Sequence, residues 1–326
     1  MTGPERGFLL LTSHLGNPQR PVLTTAQFRT LASRMQNMEK LLEDREVTVA
    51  DLLSLGYGRD MASRIQELLA EEDLLHHYLA RGSRLDCVPV TRVTETYPLI
   101  LRQRLGLDSP GTLWAKGDLS LLNTPAISLV GSRELKPENH AFAEVVGFQA
   151  AKQGLTLVSG NARGADRAAQ EGCLAAGGRV ISIVADELWK HQSKDRVLFL
   201  GEEDYDSAFT PQRALSRNRC IHALGRMVFV AQSELEKGGT WDGTAKNLRF
   251  GWTSVACFQD GSAASLELEQ MGAYLIDTED KINDLASKLE RAEKFAFDTE
   301  TTSVEPINAK LVGMSFSLKE DEAFYV

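Results

Sequence analysis

The chain has 326 residues, 43% of them hydrophobic and 25% charged, with a formal net charge of −9. That length holds one large domain or two to three ordinary ones, and the composition is that of a globular chain, not a disordered or membrane-spanning one. No apolar run reaches the roughly 18–20 residues of a membrane helix. The opening MTGPERGFLLLTSHLG carries an acid and only three consecutive leucines, so it does not read as a secretory signal. Cys87, Cys173, Cys220 and Cys257 lie far apart with no CxxC pair. This argues against a zinc site or a disulfide framework and suits a reducing cytoplasm.

Residues 1–82 read as a helical domain. Thr24 and Thr25 can cap a helix running through Phe28, Leu31, Met35, Met38 and Leu41–Leu42 at helical apolar spacing. A second helix starts near Thr48 and breaks at LGYG, 55–58, and a third runs from about Arg59 to Leu79. The glycine turn between them is either a helix-hairpin-helix, whose amides hold a phosphate, or a plain helical turn. Residues 83–122, with Pro89, Pro98 and Pro110, read as a connector ending in LWAKGDLSLL.

Residues 123–276 change character. Apolar runs at 126–130, 155–158, 180–184, 227–230 and 254–258 read as five buried strands. Pro137 opens a helix whose apolar positions are Phe142, Val145, Val146, Phe148 and Ala151, and Gly177-Gly178 closes the next one. Such alternation predicts an α/β fold, a doubly wound parallel sheet with helices on both faces and ligands at the carboxyl ends of its strands. Residues 277–326 hold 12 acids and 6 bases. They read as a helix, Asp280–Lys294, followed by strand-like runs that stop without a closing turn.

Four stretches carry candidate chemistry. Gly131, Ser132 and Arg133 follow the first strand. The glycine permits close backbone approach, the amides suit an anion, and the arginine is either a phosphate fork or a solvated turn residue. Ser159, Gly160, Arg163 and Gly164 follow the second strand and open a helix, the context in which a glycine turn binds phosphate. Asp166, in that helix's first turn, either acts there or only caps it. Arg217, Asn218 and Arg219 lie between Ser207 and Ser233, a stretch with four arginines and no acid. They either extend a phosphate track or form a solvated helix face. Gly239 and Thr240, in a small-residue loop, either close over a ligand or simply turn the chain.

These motifs occur in one order from residue 97 to 276: YPLIL, LWAKGDLSLLN, AISLVGSR, VSGNARGADRAA, AAGGRVISIV, SRNRCIHAL and GGTWDGTA. In that order the chain resembles the DNA-processing protein A (DprA/Smf) family, with the N-terminal helices fitting the family's small helical domain more loosely. The resemblance implies a Rossmann-like domain that binds single-stranded DNA, protects incoming strands during natural transformation and helps load RecA. It also implies a homodimer, no cofactor and no catalysed reaction. Carried over by motif, Arg133 is the DNA-contacting arginine, Ser159, Gly160 and Arg163 line the groove, and Arg217 and Arg219 continue it. The chain departs from the pattern at Gln170, where the family has His, and at Ala214-Leu215, where it has Phe-Pro and so an aromatic for base stacking. The other reading of the crevice is a nucleotide enzyme of the lysine-decarboxylase-like phosphoribohydrolase type. Its PGGxGT-x-x-E loop corresponds to KGGTWDGTAKN here, without the glutamate.

The tail resembles something else. EKFAFDTETTSVEPINAKLVGMSFSLKEDEAFYV is similar to the start of the 3′–5′ exonuclease domain of family A DNA polymerases, with Asp298 and Glu300 matching its first metal motif. The later carboxylates that two-metal hydrolysis needs are missing. The tail therefore reads as an incomplete fragment joined near Ile276–Asp277 by fusion or by an assembly artefact, in the place of the family's winged helix.

Overall fold

The computed structural model describes residues 1–36, 47–276, 296–301, 311–319 and 322–325. They fall into two units, Met1–Leu275 and Ile276–Val326.

In the first unit, threonines set the early helices. Thr2, Thr24 and Thr48 cap α1 (Gly3–Thr12), α2 (Thr25–Met35) and α3 (Val49–Ser54), each with a reciprocal capping box. Met38 and Leu41–Leu42 lie outside the described residues. The leucine run of the N-terminus is buried in α1, with Leu9 and Leu10 in the core shared with the sheet and Leu11 in the core of the helical domain. The predicted third helix is two, α4 (Arg59–Ala70) and α5 (Glu72–Arg84), because the backbone leaves helical geometry at Glu71. At the LGYG turn the amides of Leu55, Gly56 and Tyr57 all donate to carbonyls of α3. Those three are therefore unavailable to a phosphate.

The stretch read as a connector is part of the sheet. It supplies β1 (Val88–Thr91), α6 (Leu99–Leu105) and β2 (Thr112–Lys116), and β2 buries Leu113, Trp114 and Ala115. Proline is tolerated in β1 because that strand is an edge. Then follow β3 (Ala126–Val130), α7 (Pro137–Lys152), β4 (Thr156–Ser159), α8 (Ala165–Ala175), β5 (Arg179–Val184) and β6 (Val197–Glu202). The run closes with α9 (Pro211–Leu224), β7 (Met227–Val230), α10 (Gly238–Phe250), β8 (Ser254–Phe258), α11 (Ala263–Gln270) and β9 (Tyr274–Ile276). The nine strands of this sheet lie in the order β1-β2-β6-β5-β4-β3-β7-β8-β9. Strands β3 to β8 pair in parallel, and β2 joins β6 antiparallel. The sheet is thus mostly parallel and Rossmann-like, as expected, with the sixth parallel strand, β6, and the β1–β2 edge unforeseen. Chain order reverses at β3, which has β4 on one side and β7 on the other. In such sheets that reversal point opens a crevice.

Alternate residues of the central strands face two cores. Val130, Val158, Ile181 and Ile183 pack with Cys220 and Ile221 of α9, while Leu129, Leu157, Val180 and Val184 pack under α7 and α8. Each fully buried aliphatic side chain contributes roughly 1.5–3 kcal/mol. The buried face of α7 is the predicted one in part: Val146 is buried, and Phe142 and Ala151 pack against the same core. Asn139, Ala143, Val146, Gly147 and Ala150 point inward, and Val145 and Phe148 are exposed. Small residues let α7 and α8 nearly touch: a Cβ on Gly147 would stand 1.9 Å from the carbonyl oxygen of Ala169.

The helical domain is fastened to the sheet edge. Ser13 donates to Asp204, Tyr78 donates to Asp206 at 2.7 Å, and Tyr78, Trp114 and Tyr205 form a ring cluster. All four cysteines are buried and free. Among the described residues no helix is long and apolar enough to cross a membrane. In the second unit the described backbone is an antiparallel sheet of β10 (Ala296–Thr301), β11 (Leu311–Lys319) and β12 (Glu322–Tyr325). The predicted helix Asp280–Lys294 lies outside the described residues, as do the side chains of Asp298 and Glu300.

Candidate nucleic-acid interface

Two glycine turns interlock at the β3 reversal point. Gly131 ends β3, and a Cβ there would lie 2.5 Å from the Ala165 Cβ and 3.2 Å from the Ala231 Cβ. Glycine alone allows β3, β7 and the start of α8 to meet. The Ser132 N–H donates to the Gln232 carbonyl at 3.0 Å, and its own carbonyl accepts from the Ala165 N–H at 3.2 Å. Gly164 has φ +82°, and a Cβ on it would stand 2.5 Å from the carbonyl oxygens of Ser132 and Arg133. The two motifs read separately in the sequence are therefore one structural piece.

That piece presents Arg133. Its side chain is exposed and has no hydrogen bond or ion pair among the described residues. Arg163 is also exposed and makes a loose 3.7 Å pair with Glu134. The other predicted site residues sit differently. Ser159 is fully buried; its hydroxyl donates to the Gly160 carbonyl and accepts from Gln170 Nε2 at 2.7 Å. It is a support for the turn, not a wall of the groove. Gln170 also donates to the Gly160 carbonyl and to the Ser182 hydroxyl. The sequence had marked it only as a departure from the family pattern.

Arg217 is half-buried, and its Nη1 donates to the Ile183 carbonyl at the end of β5. Its buried Nε has no partner. Gly160 is glycine because of it: a Cβ there would lie 2.3 Å from Arg217 Nη1 and 2.4 Å from Asp166 Oδ2. Asp166 is buried in the first turn of α8 and accepts from the Ala162 N–H at 3.1 Å. Burial pushes its carboxyl up, opposed first by the Arg217 guanidinium and then by the amides of Ala162 and Gly160. Burial likewise pushes Arg217 down, opposed by Asp166 and Asp186. Arg217 thus holds the turn from within rather than extending a phosphate track.

Asn218 Nδ2 donates to the Gly239 carbonyl at 3.0 Å, which ties α9 to the first turn of α10. Thr240 stands half-buried in that turn. Arg219 is committed elsewhere, to Glu202 at 2.9 Å and the Asp108 carbonyl at 2.8 Å. The acidic strand end after β5 is partly tied down. His191 Nε2 lies 2.8 Å from Asp186 Oδ1, and Asn161 Nδ2 lies 3.4 Å from His191 Nδ1. One tautomer satisfies both contacts, with Nε2–H donating. The His191 hydrogen bond holds the Asp186 carboxyl below its ordinary value. Among the described residues, no three of His, Cys, Asp or Glu gather as a metal site.

The arrangement sets one unpartnered guanidinium beside two interlocked glycine turns, at the reversal point of a doubly wound, Rossmann-like sheet. The family model for DNA recombination-mediator protein A matches residues 89–287, and the chain belongs to that family. A DNA processing protein DprA of Streptococcus pneumoniae is 31% identical over 218 residues, 62% of this chain and 75% of its own length. A solved DprA structure from the same species covers 80% of this chain and 98% of its own, with a TM-score of 0.61 at 22% identity. The DprA structure from Helicobacter pylori covers 62% and 96%, with a TM-score of 0.51 at 24% identity. These two likenesses show the fold. The tail matches the 3′–5′ exonuclease family model over residues 274–326. Over 39 residues, 12% of this chain and 4% of the relative, it is 62% identical to DNA polymerase I of Pseudomonas aeruginosa.

Proposed function

We propose that the chain binds single-stranded DNA in the β3 crevice and works as a recombination mediator, shielding incoming strands and helping to load RecA in natural transformation. It acts by binding, without cofactor or catalysis, as a cytoplasmic homodimer. The observation that carries this is Arg133, unpartnered on a rigid double turn. A guanidinium so placed forks a phosphate and stacks on an unpaired base, which a duplex keeps inside its own stack. Support comes also from the Helicobacter pylori protein, which binds single-stranded DNA. The crevice hydroxyls favour binding over catalysis. Ser159 receives its hydrogen bond from an amide, and Ser132 Oγ donates to a carbonyl, so neither faces a general base.

The test is a salt titration of binding to oligo-dT and to duplex of equal length. Preference for the single strand, with affinity falling steeply as salt rises, is the expected result. Equal affinity for both, or binding insensitive to salt, would overturn the reading.

A further inference from the structure

A second surface lies along the other side of α9 and α10. Here a cleft of about 2380 Å³ runs between residues 12–36 of the helical domain and the two helices. Small-ligand pockets occupy roughly 300–1,000 Å³, so this one fits a polymer. Its floor is a single helical stripe of α10, in which Gly239, Gly243, Lys246 and Phe250 recur every three to four residues. A helix of that length is about 20 Å long.

The chemistry of the cleft is selective. Phe250 is 61% exposed and stacks on Trp252, with ring centroids 5.8 Å apart and an 18° interplanar angle. Trp241 lines the same floor. Arg29 and Arg102 are exposed in the lining, with no hydrogen bond or ion pair among the described residues. The acids beneath are mostly neutralised. Glu202 pairs with Arg219, Glu203 pairs with Arg213, and Asp204 accepts from Ser13 and the Gly16 amide. Asp108 and Glu236 in the lining lack such partners among the described residues. Free guanidinia and stacked aromatic rings in one cleft, with most of its acids paired, are the parts of a surface that holds a nucleic-acid strand without reading its sequence. Gly239 lines the cleft, and Asn218, whose amide holds its carbonyl, directly follows Arg217 in α9.

We infer that a single strand leaving the crevice continues through this cleft, with unpaired bases stacking on Phe250 and Trp252 and phosphates meeting Arg29 and Arg102. The inference rests on the single-strand reading of the crevice and adds a second stretch of the same path, so longer strands bind more tightly. A protein segment in the cleft is the rival occupant, and it predicts no dependence on strand length.

The experiment uses the full chain with oligo-dT of two lengths, one short enough for the crevice alone and one spanning both surfaces. Phe250→Ala and the pair Arg29→Ala/Arg102→Ala are compared with the parent, and unchanged melting temperatures check the fold. The parent is expected to bind the longer strand more tightly. Phe250→Ala should weaken long-strand binding about tenfold. The arginine pair should lower the salt slope by roughly 1.4, about 0.7 for each lost phosphate contact. Short-strand binding should stay as in the parent for both variants. Equal affinity for the two lengths, or variants that match the parent on the long strand, would overturn the cleft and leave the crevice standing. A parent that binds neither length overturns both readings.

Discussion

Arg133 and Arg217 belong to one crevice yet have opposite surroundings. Arg133 stands on a turn held by the Ser132–Gln232 and Ala165–Ser132 backbone bonds, and its guanidinium has no hydrogen bond or ion pair among the described residues. Arg217 fills the space that Gly160 leaves and shares it with the buried Asp166 carboxylate. The lesson is a division of labour: one arginine is left exposed and unpartnered, and another is used to build the turn beside it. In the sequence, one follows a glycine turn and the other lies in an acid-free stretch, and nothing in either stretch says which points inward.

The comparison is broken most forcefully at Arg217. Arg217→Ala strands Asp166 without its main counter-charge, and we expect a loss of roughly 2–3 kcal/mol in denaturant unfolding, discounted for partial exposure. A loss under about 0.5 kcal/mol would make Arg217 a surface residue after all. Gly160→Ala comes next. Its methyl group collides with both charged side chains, and overpacking of that kind costs roughly 1–2 kcal/mol. Recovery of that loss in the Gly160→Ala/Arg217→Ala double variant, beyond additivity, would confirm that the two share one space.

An effect spread over pH bears on the packing of α9. His222 is fully buried beside Asn247, its Nε2 has no partner, and burial pushes it down to about 3. Between about 3 and the ordinary 6.5 the unfolded chain holds a proton that the fold does not. Stability therefore falls as pH drops through that window, by at most about 1.4 kcal/mol per pH unit from this group. Chemical denaturation from pH 7 to 4 should show a shallower pH dependence for His222→Gln than for the parent. Identical slopes would mean that His222 protonates within the fold.

Much of this was legible in the sequence, and the rest was hidden for physical reasons. The strands at 126–130, 227–230 and 254–258 were visible because continuous apolar runs bounded by turn residues announce buried parallel strands. VLFL at 197–200 has the same character but sits between the charged runs KDR and GEED, which read as a solvated loop. The buried face of α7 is legible only in part, because large apolar residues read as core whether or not they face it. The real contact needs Gly147 and Ala143, whose value is their lack of bulk. The glycines of the crevice were found, but their reasons were tertiary: Gly131 makes room for Ala165, Gly160 for Arg217 and Gly164 for two carbonyls. Ser159, Arg217 and Arg219 have the residue types of a phosphate site and were placed in it. Only packing decides whether a guanidinium points out of a crevice or into its wall.

On the proposed function, Arg133 contacts DNA and holds no other part of the fold. Arg133→Ala should melt like the parent, within about 0.5 kcal/mol, as expected for an unpartnered surface side chain. Its affinity for oligo-dT should fall, and the slope of log affinity against log salt should shrink by roughly 0.7, the loss of one phosphate contact on a single strand. An Arg133→Ala protein with the parent's affinity and the parent's salt slope would contradict the account at its base.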